Sequence, residues 1–113
     1  MLIRRGDLFW VNLVPTRGSQ QTGRRPVVVI QNDIGNAYAA TTIIAPLTSS
    51  ALSKEYPVNV FIPKNLAGLK ADSTVLLSQI RVIDKLRLEQ YIGHLTAPFM
   101  KKIDTAIKNS LGL

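Results

Sequence analysis

Pro26-Val27-Val28-Val29-Ile30-Gln31 carries four consecutive apolar residues. A strand with this pattern must be covered on both faces, so it belongs at the centre of a sheet or beneath a partner subunit. In a chain of 113 residues that points to a dimer. Immediately before it runs Pro15-Thr16-Arg17-Gly18-Ser19-Gln20-Gln21-Thr22-Gly23-Arg24-Arg25, a polar loop, and before that the apolar stretch Leu8 to Val14. Apolar flanks give such a loop a rigid base, and glycines give it unusual backbone angles. Arg17, Ser19, Gln20, Gln21, Arg24 and Arg25 then present donors suited to phosphate, which makes the loop a candidate nucleic-acid site.

Further β-rich runs occur at Asp7 to Leu13, Thr41 to Leu47, Pro57 to Ile62 and Ser73 to Ile80, each bounded by Gly, Pro, Asn or Asp. Val58, Val60 and Ile62 alternate with Asn59 and Phe61, the period of a half-buried strand. The spacing predicts a small barrel. The last segment changes period: Thr96 is placed as an N-cap, Pro98 falls in the first turn, and Phe99, Ile103, Ala106, Ile107 and Leu111 recur at helical spacing. Lys101, Lys102, Asp104 and Lys108 mark the wet face, and Gly112 ends the helix. A shorter helical turn is expected around Asp84 to Glu89. The fold class is therefore mainly β with a C-terminal α-helix, in one domain over residues 1–113.

Fourteen Lys and Arg against seven Asp and Glu leave a formal charge of +7, and the sequence pI is near 10.2. That balance favours a polyanionic partner through attraction and counterion release. RNA, DNA, an acidic protein and an anionic membrane all satisfy it. A domain of this length can bury roughly 65% of the surface its unfolded chain exposes. There are no cysteines, which removes disulfides and thiolate metal sites and suits a reducing cytosol. Neither a signal peptide nor a long apolar span is visible, so a soluble, unprocessed, cytoplasmic protein is expected. Asp7, Asp33, Glu55, Asp72, Asp84, Glu89 and Asp104 are scattered without ligand spacing and His94 stands alone. No metal site and no cofactor are expected.

If Pro26 to Gln31 pairs antiparallel with Thr41 to Leu47, a symmetric hairpin centred between Asn36 and Ala37 sets Arg25 opposite Thr48. Directly opposed side chains have Cβ atoms about 5 Å apart, so a guanidinium and a hydroxyl can share one phosphate. A slip of one or two residues would bring Ser49 or Ser50 into the role instead. Simpler readings stand beside this one. Thr48 can be a strand-ending hydroxyl that caps a turn, and Gln79 either a structural amide or an RNA contact. Trp10 fits the core or a subunit interface better than a base-stacking role, and His94 fits a structural role. Arg5-Gly6-Asp7 reads as a turn entering the first strand, and Lys101 and Lys102 as a solvated helix face.

Arg5-Gly6-Asp7-Leu8-Phe9-Trp10, Leu13-Val14-Pro15, Gly18-Ser19, Gln21, Gly23 and Arg25-Pro26-Val27-Val28-Val29-Ile30-Gln31-Asn32, with Ala45-Pro46-Leu47-Thr48 and Leu77-Ser78-Gln79-Ile80-Arg81, resemble the MazF/PemK toxins of bacterial toxin–antitoxin pairs. The likeness runs nearly end to end. It implies an SH3-like barrel, a homodimer, and a sequence-specific endoribonuclease (an mRNA interferase) that is neutralised by a cognate antitoxin. It also implies metal-free attack by a ribose 2′-oxygen on the adjacent phosphorus of single-stranded mRNA, leaving 2′,3′-cyclic phosphate and 5′-hydroxyl ends. The family's essential arginine falls on Arg25 and its essential threonine on Thr48, with Ser19 and Gln79 near the RNA. Gln20 is a departure, since the family commonly has Glu there. Arginine keeps its proton at neutral pH, which favours Arg25 as an electrostatic clamp over a proton acceptor. Two other classes fit the charge: a noncatalytic gyrase poison of the CcdB type, whose helix tip carries a Trp absent from Ser110-Leu111-Gly112-Leu113, and a basic RNA-binding barrel without cleavage.

Overall fold

The computed structural model describes residues 2–13, 23–49 and 57–113. The strands are β1 (Asp7–Leu13), β2 (Gly23–Val29), β3 (Thr41–Thr48), β4 (Asn59–Ile62), β5 (Ser73–Leu76), β6 (Arg81–Asp84) and β7 (Tyr91–His94). The helices are α1 (Asp33–Tyr38) and α2 (Ala97–Leu111), and single 3-10 turns lie at Leu77–Gln79 and Lys85–Arg87. The strands pair in the order β4-β5-β3-β2-β1-β7, with β6 also on β3, and every pairing is antiparallel. The result is a mainly β half-barrel with a C-terminal helix, the expected fold class.

β2 is the central strand, and its two faces feed two separate cores. Val28 and Ile30 pack with Leu8, Ala45, Leu47 and the α2 residues Ile103 and Ala106. Val27 and Val29 pack with Phe9, Val11, Leu13, Ile44 and Ile83. The two-sided burial expected of this run is thus met inside a single chain, and the run by itself gives no reason for a partner subunit. The pairs Val27–Pro46, Val28–Ala45 and Val29–Ile44 keep the predicted register. The connection is a short helix in place of the expected turn. Asn32 caps α1, its side-chain oxygen accepting from the Gly35 N–H at 2.8 Å, as this residue type commonly does at a helix start.

The predicted single strand over Ser73 to Ile80 is broken. β5 pairs with Leu47 and Thr48, β6 pairs with Thr41 to Ile44, and the 3-10 turn between them sits where β3 passes from one partner to the next. Leu77 explains the break: it is fully buried and its N–H turns away to the Val58 carbonyl at 2.9 Å. β7 lies outside the strands that the sequence predicts. The turn at Lys85–Arg87 falls inside the range expected to be helical, and α2 begins after Thr96 and stops at Gly112, whose φ is 72°. Phe99 and Ile107 join Ile103 and Ala106 against the core, whereas Leu111 is exposed. Asp104, placed on the wet face, accepts from Arg5 Nη2 at 2.6 Å and ties α2 to the entry of β1.

The segment 63–72 lies directly on β7. A Cβ on Gly68 would strike the Ile92 carbonyl oxygen, and one on Gly93 would strike the Ala67 carbonyl oxygen. Backbone has met backbone here, and no side-chain rearrangement relieves the overlap. Gly93→Ala should therefore cost about 1–3 kcal/mol or more of stability, read as a lower urea midpoint with an unchanged slope.

The Asp33 carboxylate is held below its ordinary pKa, chiefly by the Arg5 backbone N–H, which donates to Asp33 Oδ1 at 2.6 Å. Partial desolvation opposes this, while the Asn36 amide and the charges of Arg4 and Arg5 support it. A carboxyl whose folded pKa is depressed contributes stability that is fully present above the unfolded value and is lost as pH falls through the folded one. Asp33→Asn should accordingly remove part of the acid-side fall in stability, measured by denaturation across the acidic range, and leave the neutral-pH slope unchanged.

Candidate functional site

Arg24 and Arg25 enter the sheet at the start of β2, opposite Asn12 and Val11 of β1. Extending the β2–β3 register by two residues sets Arg25 opposite Thr48, the last residue of β3. The side-chain contacts agree: Arg25 Nη1 donates to the Leu47 carbonyl oxygen at 3.3 Å, beside Thr48. Arg25 is half-buried and Thr48 is 5% exposed. The guanidinium is thereby confined to the end of the β3 strand. A confined planar fork can meet two phosphate oxygens with little entropy left to lose.

Both residues line a cavity of about 580 Å³, together with Trp10, Arg24, Pro26 and Leu47 from the strands, Gly68 to Ala71 from the segment on β7, and Tyr91 and Ile92 from β7 itself. The glycine contacts between that segment and β7 build the cavity's far wall. Arg24, Arg25 and Lys70 are cations of the lining, and among the described residues it holds no carboxylate. The cavity is therefore suited to an anion flanked by apolar and aromatic groups.

Of the sequence-derived candidates, Arg24, Arg25 and Thr48 come together here, and Ser49 is also in the lining. Gln79 ends the 3-10 turn, half-buried, and lies outside that lining. Arg17, Ser19, Gln20 and Gln21 fall outside the described residues, as does Ser50. Among the described residues, no three of His, Asp and Glu are grouped so as to hold a metal ion.

His94 Nδ1 is 2.7 Å from Asp7 Oδ1, and Asp7 also accepts from the Arg4 backbone N–H at 2.9 Å. That contact closes the turn before β1, the structural role expected of His94 and of Arg5-Gly6-Asp7. Trp10 is not part of either core. It is partly exposed, lines the cavity, and lies under the Arg24 guanidinium at 4.6 Å from ring centroid to Cζ. The symmetric-hairpin argument used for β2 and β3 contained the signal: centred on Gly18, it sets Trp10 opposite Pro26, as observed, and hence on the face that carries Arg24. Lys70 and Tyr91 carried no such signal, because a non-repeating segment and an unforeseen strand deliver them.

The description PemK-like, MazF-like toxin of type II toxin-antitoxin system matches residues 4–111. The Bacillus subtilis (strain 168) protein named Endoribonuclease EndoA is 45% identical over 113 residues, covering 100% of this chain and 97% of that protein. Among solved structures, MazF from Deinococcus radiodurans superposes with a TM-score of 0.82 at 28% identity, covering 100% of this chain and 99% of that one. A mycobacterial endoribonuclease solved in complex with its cognate antitoxin superposes with a TM-score of 0.81 at 25% identity, over 98% and 96% of the two chains. With a family match spanning nearly every residue and a relative this similar across its whole length, the chain belongs to the PemK-like, MazF-like toxins of type II toxin–antitoxin systems.

Proposed function

We propose that this protein is a sequence-specific endoribonuclease that cuts single-stranded mRNA without a metal ion, by attack of a ribose 2′-oxygen on the neighbouring phosphorus. The products are a 2′,3′-cyclic phosphate and a 5′-hydroxyl end. The observation that carries the reading is the Arg25 guanidinium fixed beside Thr48 in a basic cavity. Arg25 clamps two oxygens of the scissile phosphate and stabilises the charge that builds on them as the 2′-oxygen attacks, the largest single contribution available to a site of this kind. The 2′-hydroxyl gives up its proton to water, and Thr48 holds the leaving 5′-oxygen, which gains a proton from the Thr48 hydroxyl as that hydroxyl regains one from water. Cleavage then relies on positioning and charge, with only weak acid–base help. That division of labour suits a guanidinium that stays protonated at neutral pH.

The family supplies the rest of the proposal. The protein acts in the cytoplasm as a homodimer, because one barrel this small covers only a few nucleotides. A cognate antitoxin with an acidic, partly disordered segment neutralises it by folding over the same basic groove. Among the described residues no helix is long and apolar enough to cross a membrane, which is compatible with that setting. Arg17, Ser19, Gln20, Gln21, Arg24 and Gln79 are proposed as RNA contacts around the two reacting groups.

The test is cleavage of a long single-stranded RNA in EDTA with end-group analysis. Wild-type protein should cut at defined sites and leave cyclic phosphates. Arg25→Lys, which trades a planar fork for a point charge, should lose roughly 100-fold or more in single-turnover rate while keeping RNA affinity within a few fold. Thr48→Val, close in volume, should lose a comparable factor. Supercoiling inhibition without RNA cuts, or binding without cuts, would replace this reading with another.

A further inference from the structure

Arg24 and Arg25 are consecutive, and both line the cavity. Arg25 donates to a neutral carbonyl oxygen. Arg24 donates through Nε to Glu89 Oε1 at 3.0 Å, and the same guanidinium is stacked over the Trp10 ring at 4.6 Å. An exposed ion pair contributes little stability. Combined with a ring beneath, it does restrict where the guanidinium can sit. The side chain remains 50% exposed, and Trp10 and Arg24 both line the cavity that holds Arg25 and Thr48.

A phosphate approaches arginine along its N–H edge, in the guanidinium plane. At Arg24 the Nε edge already faces a carboxylate, which repels a second anion. A nucleobase is neutral and stacks face to face on a guanidinium plane as it does on an aromatic ring. We propose that Arg24, backed by Trp10 and tethered by Glu89, is a stacking platform for one nucleobase of the RNA, positioned beside the phosphate that Arg25 grips. Base and phosphate are thus divided between two neighbouring arginines. This inference rests on the endoribonuclease reading above, and it changes Arg24 from one more phosphate contact into a residue that holds a base.

An RNA that the protein cuts is remade with its scissile 2′-hydroxyl methylated, so that it binds without being cleaved, and a single abasic nucleotide is walked along it. Binding to the full-length protein is read from the fluorescence of Trp10, the chain's only tryptophan. In wild-type protein one abasic position adjacent to the scissile phosphate should weaken binding by about 10-fold or more. Arg24→Lys, which keeps the charge and removes the plane, should bind the intact RNA more weakly and show no further loss at that position. Losses at the other positions should be unchanged. Glu89→Ala, which releases the tether, should shrink the same position's penalty, and it carries the test if Arg24→Lys is poorly folded. Equal abasic penalties in wild-type and variant proteins at every position would overturn the platform while leaving the nuclease intact. Failure to find any RNA that is cut would overturn the reading beneath it.

Discussion

The pairing of β2 with β3 is the constraint on which the rest of this structure hangs. A one-residue slip would turn Val27 to Ile30 over and exchange the residues supplied to the two cores. Each core is closed by different partners: Ile103 and Ala106 of α2 on one side, Phe9, Val11, Leu13 and Ile83 on the other. Such a slip would leave these four side chains buried but pack each core around residues of the wrong shape, which costs typically about 1–3 kcal/mol. The register is thereby set by the packing of both cores, and the candidate residues Arg25 and Thr48 inherit its precision. Arg25 and Thr48 lie two residues beyond the last observed pair toward the open end, where the strands leave the core and the cavity begins.

That arrangement explains why the central part of the site was legible in the sequence. Symmetric pairing about Asn36 and Ala37 sets Arg25 against Thr48 whether the connection is a turn or, as found, the short helix α1, because only the number of intervening residues matters. The helix at the C-terminus was equally plain: its period, its proline and Gly112 all act locally. What escaped depends on contacts distant in sequence. The run from Ser73 onward looks like one strand, and it breaks because Leu77 leaves the edge of β3 for the core and pairs with Val58. β7 is only four residues long, with Gly93 in its middle, a residue that weakens any strand pattern. Its glycine is needed for a backbone approach from Ala67 that no local reading contains. Trp10 stands on an apolar strand, which favours the core or an interface, while its observed partner, the Arg24 guanidinium, lies across the hairpin.

The cavity shows how a small domain separates stability from recognition. Its floor is strand ends fixed by the two cores. Its far wall is a segment held on β7 by carbonyl contacts that only glycine admits, so the wall stays close without requiring apolar side chains that would fill the space. Two of its cations are held in place: Arg25 reaches the Leu47 carbonyl oxygen, and Arg24 lies against an indole and a carboxylate. Positive charge alone would attract any polyanion.

The central claim is that Arg25 and Thr48 act on one and the same phosphate. A double-mutant cycle on single-turnover cleavage, using Arg25→Ala, Thr48→Val and the combined variant, measures that coupling directly. If both groups serve one transition state, the combined variant should be barely slower than the worse single variant. Losses that multiply as if the two residues acted independently would contradict the account.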